Sequence, residues 1–232
     1  EKKINIEATT IDNLSFNKEL DTIDFAKIDT QGAELDILKG GEDFFMKNIL
    51  GLEVEIEFCE LYKNQPLFGD VDKFVRDKLG LELWDINKSN WNFKASLKKT
   101  KSGKGKVIFG DALYFRPINN LKPWLRNFDK EKATYKLASL LNIVIAYGYV
   151  DYAYIILNEN ELKNYLTEKE NKYFKNKIQS FNRGILINSK YVRPLYWFFL
   201  SLSNFFKPSY NGWANRNERQ LGTYKIGPFY FY

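Results

Sequence analysis

A short apolar strand that ends on an acid and turns at once into a helix constrains this chain more than any other feature: residues 24–41 read DFAKIDTQGAELDILKGG. Phe25, Ala26 and Ile28 form the strand, Asp29 closes it and Gly32 permits the turn. Leu35 and Leu38 then start a helical spacing that continues to Phe44 and Phe45, with a break at Gly40 and Gly41. A strand feeding a helix through a tight turn is the unit of an open α/β sheet, where ligands collect at the carboxyl ends of the strands. Asp29 is a candidate site residue by position alone. Its competing role is to cap the helix that starts near Ala33.

The next segment alternates with a period of two. Leu52, Val54, Ile56 and Phe58 interleave with Glu53, Glu55 and Glu57, so three carboxylates share one face of a strand. Like charges in a row cost energy unless solvent or cations meet them, and a buried parallel strand normally lacks them. Glu57, nearest the carboxyl end, is the one assigned to a substrate site; Glu60 and Tyr62 follow as loop polarity. Asp70 reads as the cap of a helix carrying Val71, Phe74, Val75 and Leu79 and ended by Gly80. Strands follow at 81–86 and 107–115, joined by a long hairpin whose Lys94–Lys106 run is read as a phosphate holder or as a solvated loop. Upstream, Ile4, Ile6 and Ala8 alternate as a strand.

Arg116 to Pro123 reads as a linker, which divides the chain into an α/β unit at 1–116 and a mainly helical extension at 117–232. In the extension, Leu137, Leu140, Leu141, Val144 and Ile145 recur at helical spacing, Gly148 allows a turn, and Tyr152–Leu157 makes a second helix. Thr167 with Glu170 forms a capping box for a third. The aromatic segment Tyr191–Phe206 is too short and too interrupted to span a bilayer. It is read either as lying on a membrane or partner surface, or as a helix packed on the core of the extension.

Composition narrows the chemistry. With 232 residues and no histidine, the chain lacks the commonest general base and metal ligand, so proton transfer falls to carboxylates, Lys or Tyr. Oxygen ligands alone suit magnesium or calcium, but no loop has the calcium spacing, so no metal is expected. One cysteine, Cys59, forbids an intrachain disulfide and points to a reducing, cytoplasmic setting. The net charge of +6 comes without a basic helix, finger spacing or aromatic-basic strand motif, which argues against a nucleic-acid partner.

Thr9–Leu14, followed by Phe25, Lys27, Ile28, Asp29, Gly32, Ala33, Glu34, Leu35, Leu38, Lys39 and Gly40, resembles the central signature of the FkbM family of S-adenosylmethionine-dependent methyltransferases. That signature reads roughly TLDDL, a spacer, then DFLKIDVEGAELEVLKGA. The chain departs from it at Gln31, where the family usually has Glu, and at Thr30, where a β-branched apolar residue is usual. The resemblance implies a partial Rossmann-like methyltransferase sheet, its strands the fourth to seventh of seven, with the antiparallel seventh inserted between the fifth and sixth. It implies that Asp29, Thr30 and Gln31 line the cofactor pocket, and that Asp29, Glu34 and Glu57 act on a small-molecule or glycan substrate, with methylation of a hydroxyl as the reaction. Glu34 is equally a first-turn helix residue favoured by the macrodipole.

The family opens with a Gly-rich cofactor loop that these residues do not contain. The expectation is the C-terminal half of an O-methyltransferase, inactive by itself, with a natural start upstream. The alternative is a non-catalytic interaction module that uses the aromatic C-terminal region and the exposed edge of the Asp24–Asp29 strand. That edge is expected either to self-pair in a homodimer or to be capped by Ile4–Thr9.

Overall fold

The period-two run at 51–57 becomes the central strand of a mixed sheet in the computed structural model, which describes residues 7–91, 105–181, a helix at 189–206 with side chains at 194–203, and a two-residue strand at 214–215. The elements run α1 (Ile11–Phe16), β1 (Phe25–Ile28), α2 (Glu34–Lys39), α3 (Glu42–Asn48), β2 (Gly51–Glu57), α4 (Phe68–Asp77), β3 (Glu82–Trp91) and β4 (Lys106–Phe115). Helices α5 (Ile118–Leu125), α6 (Lys130–Ala146), α7 (Val150–Asn158), α8 (Asn160–Lys163), α9 (Glu168–Phe181) and α10 (Ser189–Phe206) follow, with β5 at Ala214–Asn215.

The strand order is β1-β2-β4-β3, with β5 added beside β3. β1 and β2 are parallel, and β4 inserts antiparallel between β2 and β3, the order that the resemblance implied. Among the described residues, β1 has β2 as its one strand neighbour. The expected strand at Ile4–Ala8 falls partly outside the described residues, and Glu7–Thr10 has no regular structure. Lys94–Lys104 likewise lies outside them.

Each face of the sheet buries a different core. Leu52, Val54 and Ile56 of β2, with Ala112 and Tyr114 of β4, pack against Leu35, Leu38, Phe44, Phe45, Val71 and Val75 from α2, α3 and α4. On the other face, Leu113 and Phe115 meet Leu137, Leu141 and Val144 of α6 and Tyr152 and Ile156 of α7. Aromatic rings cluster here. Trp84 lies 4.5 Å from Tyr152 and 5.0 Å from Tyr149, and Phe115 lies 5.8 Å from Tyr147, centroid to centroid. Each such ring buries about 150–250 Å² and contributes a large share of the apolar burial. The sheet and the C-terminal helices therefore share one continuous core.

Three local expectations change. Residues 118–125 are not a linker but helix α5, with Leu121 and Leu125 fully buried, because apolar side chains at helical spacing meet the sheet there. Asp70 sits in the first turn of α4 rather than at its cap, although its carboxylate still accepts the Leu67 N–H at 2.9 Å. α10 does not pack into a core over its described side chains, most of which are exposed. The Thr167–Glu170 capping box forms as expected: Glu170 Oε2 accepts the Thr167 N–H at 2.8 Å, and Thr167 Oγ1 accepts the Glu170 N–H at 3.2 Å.

Two buried cations fasten the end of the sheet where β1 and β2 begin. Lys136 of α6 is completely buried, and its Nζ donates to Asp24 Oδ1 at 2.6 Å, Asn48 O at 2.8 Å and Thr22 Oγ1 at 3.0 Å. Burial lowers its pKa, and the Asp24 carboxylate opposes that shift. Arg116 donates through Nε and Nη2 to Ile49 O, at 3.2 and 2.9 Å, and its guanidinium stacks 4.4 Å from the Trp124 ring. Burial pushes its pKa down to about 10.

Candidate functional site

At the opposite end of β1 and β2 the charge is negative. The turn after β1 is held by Glu34, which is 2 % exposed at the start of α2. Its Oε1 accepts the Thr30 N–H at 2.7 Å and the Thr30 hydroxyl at 3.0 Å, and its Oε2 accepts the Gly32 N–H at 2.9 Å. A carboxylate with both oxygens committed to its own loop shapes that loop. No side chain caps α2: its N-cap, Ala33, makes no side-chain cap bond, Glu34 holds the turn before it, and Asp29 stays exposed at the strand tip.

Gln31 connects the strand tips. Its Nε2 donates to Asp29 Oδ1 at 3.1 Å and to Glu55 Oε2 at 2.9 Å. The residue adopts a left-handed backbone, φ 59°, a conformation that costs a non-glycine residue about 1 kcal/mol or more and concentrates at functional sites. Gly32 follows at φ 108°, and a β carbon there would lie 3.2 Å from Tyr62 Cδ2, so the turn after β1 and the loop after β2 touch at a point only glycine fits. In that second loop Gln65 Oε1 accepts the N–H groups of Leu61 and Tyr62 at 2.7 and 2.6 Å. Glu60 accepts the Asn64 N–H, which gives it a loop-closing role.

The three glutamates of β2 share a face but not an environment. Glu53 is paired: Lys27 Nζ donates to its Oε1 at 2.7 Å and the Tyr147 hydroxyl to its Oε2 at 2.8 Å. The same Lys27 lies 3.7 Å from Asp111 Oδ1, and its bond to Glu53 raises its pKa against the effect of burial. Glu55 is 8 % exposed and accepts from the neutral Gln31 amide, so burial first, then the charges of Asp29 and Glu57, push its pKa up to about 7. Glu57, 3 % exposed at the strand end, is also raised, by burial and by the charge of Glu34.

A polar row crosses the sheet at this level. Asp111 of β4 stands opposite Glu55 on one side and Asn87 of β3 on the other, and all three are buried. Asn87 Oδ1 has no hydrogen-bond partner among the described residues. The strands approach closely there, since a β carbon at Gly110 would lie 2.4 Å from Asn87 O. Glu55, Asp111, Asn87, Gln65 and Lys27 are site-level residues that sequence reasoning did not assign; the acidic alternation of β2 signalled Glu55 and the GD pair interrupting the apolar run of β4 signalled Asp111.

The structure thus joins Asp29, Gln31 and Glu55 through hydrogen bonds and sets Glu57 one step beyond, while Thr30 and Glu34 serve the turn. The arrangement is rich in acceptors, with Lys27 and the amides of Gln31, Asn87 and Gln65 as donors. Among the described residues no group of three or more His, Cys, Asp or Glu is disposed to hold a metal ion. Two open grooves bounded by described residues run along α9 and beside Asp21 and Asp129.

Comparison with known proteins supplies one match. Residues 1–80 match the family model described as the methyltransferase FkbM domain. No curated protein and no solved structure matches the chain. The matched residues, about a third of the chain, carry β1, the Gln31 turn and the acidic strand β2 and are similar to the FkbM methyltransferase domain.

Proposed function

We propose that the chain takes part in S-adenosylmethionine-dependent methylation of a hydroxyl group on a sugar or another small hydroxylated metabolite. The observation that carries this reading is the Asp29–Gln31–Glu55 bridge at the carboxyl ends of two parallel strands, inside the segment matched by the methyltransferase family. The acceptor-rich wall suits the cofactor's cationic, hydroxyl-bearing portion: carboxylates face positive charge favourably, and ribose hydroxyls need acceptors. Asp29 and Gln31 would hold that portion. When bound, the cofactor supplies an electrophilic methyl group.

The chain's own residues do the rest. A sugar presents several hydroxyl donors, and Glu55, Glu57, Asp111 and the unpartnered Asn87 Oδ1 are acceptors for them. Glu55, with a pKa of about 7, is matched to accept a hydroxyl proton near neutral pH as the oxygen attacks. Gln31 holds its Oε2, which leaves Oε1 for that proton. Alignment of acceptor and donor supplies most of the remaining rate enhancement.

Among the described residues no Gly-rich strand–turn–helix faces the acidic wall. The expectation for these 232 residues is therefore weak cofactor binding, with a Kd of about 1 mM or above. Ligand-observed NMR at millimolar S-adenosylmethionine tests it. A saturation-transfer signal that falls at least about fivefold in Asp29→Asn supports the assignment. A signal unchanged by Asp29→Asn removes Asp29 from the pocket, and micromolar binding shows that these residues already hold a full cofactor site.

A further inference from the structure

α10 gathers exposed apolar side chains on one helix, whereas exposed large apolar residues elsewhere, such as Phe16, Tyr135 and Tyr154, are spread over several elements. Leu195, Phe198, Phe199 and Leu202 are 44 to 61 % exposed, and at 100° per residue they fall within an arc of roughly 100°. Tyr196, 47 % exposed, borders that arc, and Trp197, 60 % exposed, lies on the opposite side of the helix. Monomers carry isolated surface leucines routinely, but a contiguous patch of this kind marks an interaction surface.

Charge decides between its possible occupants. Residues 171–217 hold eight Lys or Arg and no Asp or Glu, so this stretch exceeds the +6 of the whole chain and leaves the remainder at −2. A second copy docked through α10 would set two such cationic stretches side by side. An anionic surface would be attracted to both. No helix among the described residues is long and apolar enough to cross a membrane, so the attraction leads to lying on a bilayer rather than spanning it. An exposed apolar arc in a strongly basic and acid-free context is the physical pattern of an interfacial helix.

We propose that α10 binds the surface of an anionic lipid bilayer, with Leu195, Phe198, Phe199 and Leu202 turned into the headgroup–acyl boundary. Neighbouring basic residues provide the electrostatic half of the attraction. The inference is independent of the methyl-transfer reading, since no residue is shared between the two surfaces.

Vesicle co-flotation of the full chain tests it, using phosphatidylcholine vesicles with and without about 30 mol% phosphatidylglycerol. The expected result is partitioning at least about tenfold stronger onto the anionic vesicles, reduced at least about tenfold in the double variant Phe198→Glu/Phe199→Glu. Both substituted side chains are exposed, so the variant should retain the circular dichroism of the parent. Absence of binding to anionic vesicles, or equal binding by the double variant, overturns the proposal. So does a lipid-free dimer in sedimentation that the same double variant converts to monomer, because the face would then belong to a second copy.

Discussion

The two ends of the sheet treat buried charge in opposite ways. Where β1 and β2 begin, Lys136 and Arg116 are buried cations whose protons are met by Asp24 and by the carbonyls of Asn48 and Ile49. Where the same strands finish, Asp29, Glu55, Glu57 and Asp111 gather around neutral amides and Lys27. The first arrangement fixes the fold, because each charge has ligands of opposite sign or dipole. The second leaves like charges together, so burial and the neighbouring charges raise the pKa of Glu55 and Glu57. Charge retained at a cost to stability is the mark of a site kept for a ligand.

Substitutions at the two ends should separate these roles. The largest effect is expected at Lys136→Met, which leaves Asp24 and the Asn48 carbonyl buried without their cation and should cost about 3–5 kcal/mol in urea unfolding. A cost below about 1 kcal/mol would mean that the clamp does not hold α6 to the sheet. Glu34→Gln is next. The amide replaces one acceptor oxygen with a donor that faces the N–H of either Thr30 or Gly32, so about 2 kcal/mol should be lost. An unchanged midpoint would return Glu34 to the list of free carboxylates available for catalysis.

Much of the architecture was legible in the sequence because apolar periodicity reports burial directly. The alternation at 52–58 produced β2, the spacing of Leu137 to Ile145 produced α6, and Thr167 with Glu170 capped α9. α5 was missed because its two prolines, Pro117 and Pro123, read as breakers, whereas Pro117 sits at the N-cap, where no N–H is needed. At the site, the candidate Asp29 and the acidic row were legible from position and type. The assignment of Glu34 to the turn and of Gln31 to the bridge was not, since both depend on side chains folding back across a left-handed turn. Asp111 and Asn87 join the site through strand register, which only the insertion of β4 between β2 and β3 creates.

Glu55 tests the contrast most directly. Its folded pKa of about 7 exceeds the ordinary carboxyl value of 4.5, so the folded state binds more protons between those values and stability must fall as pH rises through that window. Urea unfolding of wild type and Glu55→Gln at pH 5 and pH 8 measures this. The glutamine variant should be about 1–3 kcal/mol more stable than wild type at pH 8 and close to it at pH 5, because it keeps the bond to Gln31 and removes the buried charge. A variant less stable than wild type at pH 8 would contradict the account, since Glu55 would then support the fold as Lys136 does.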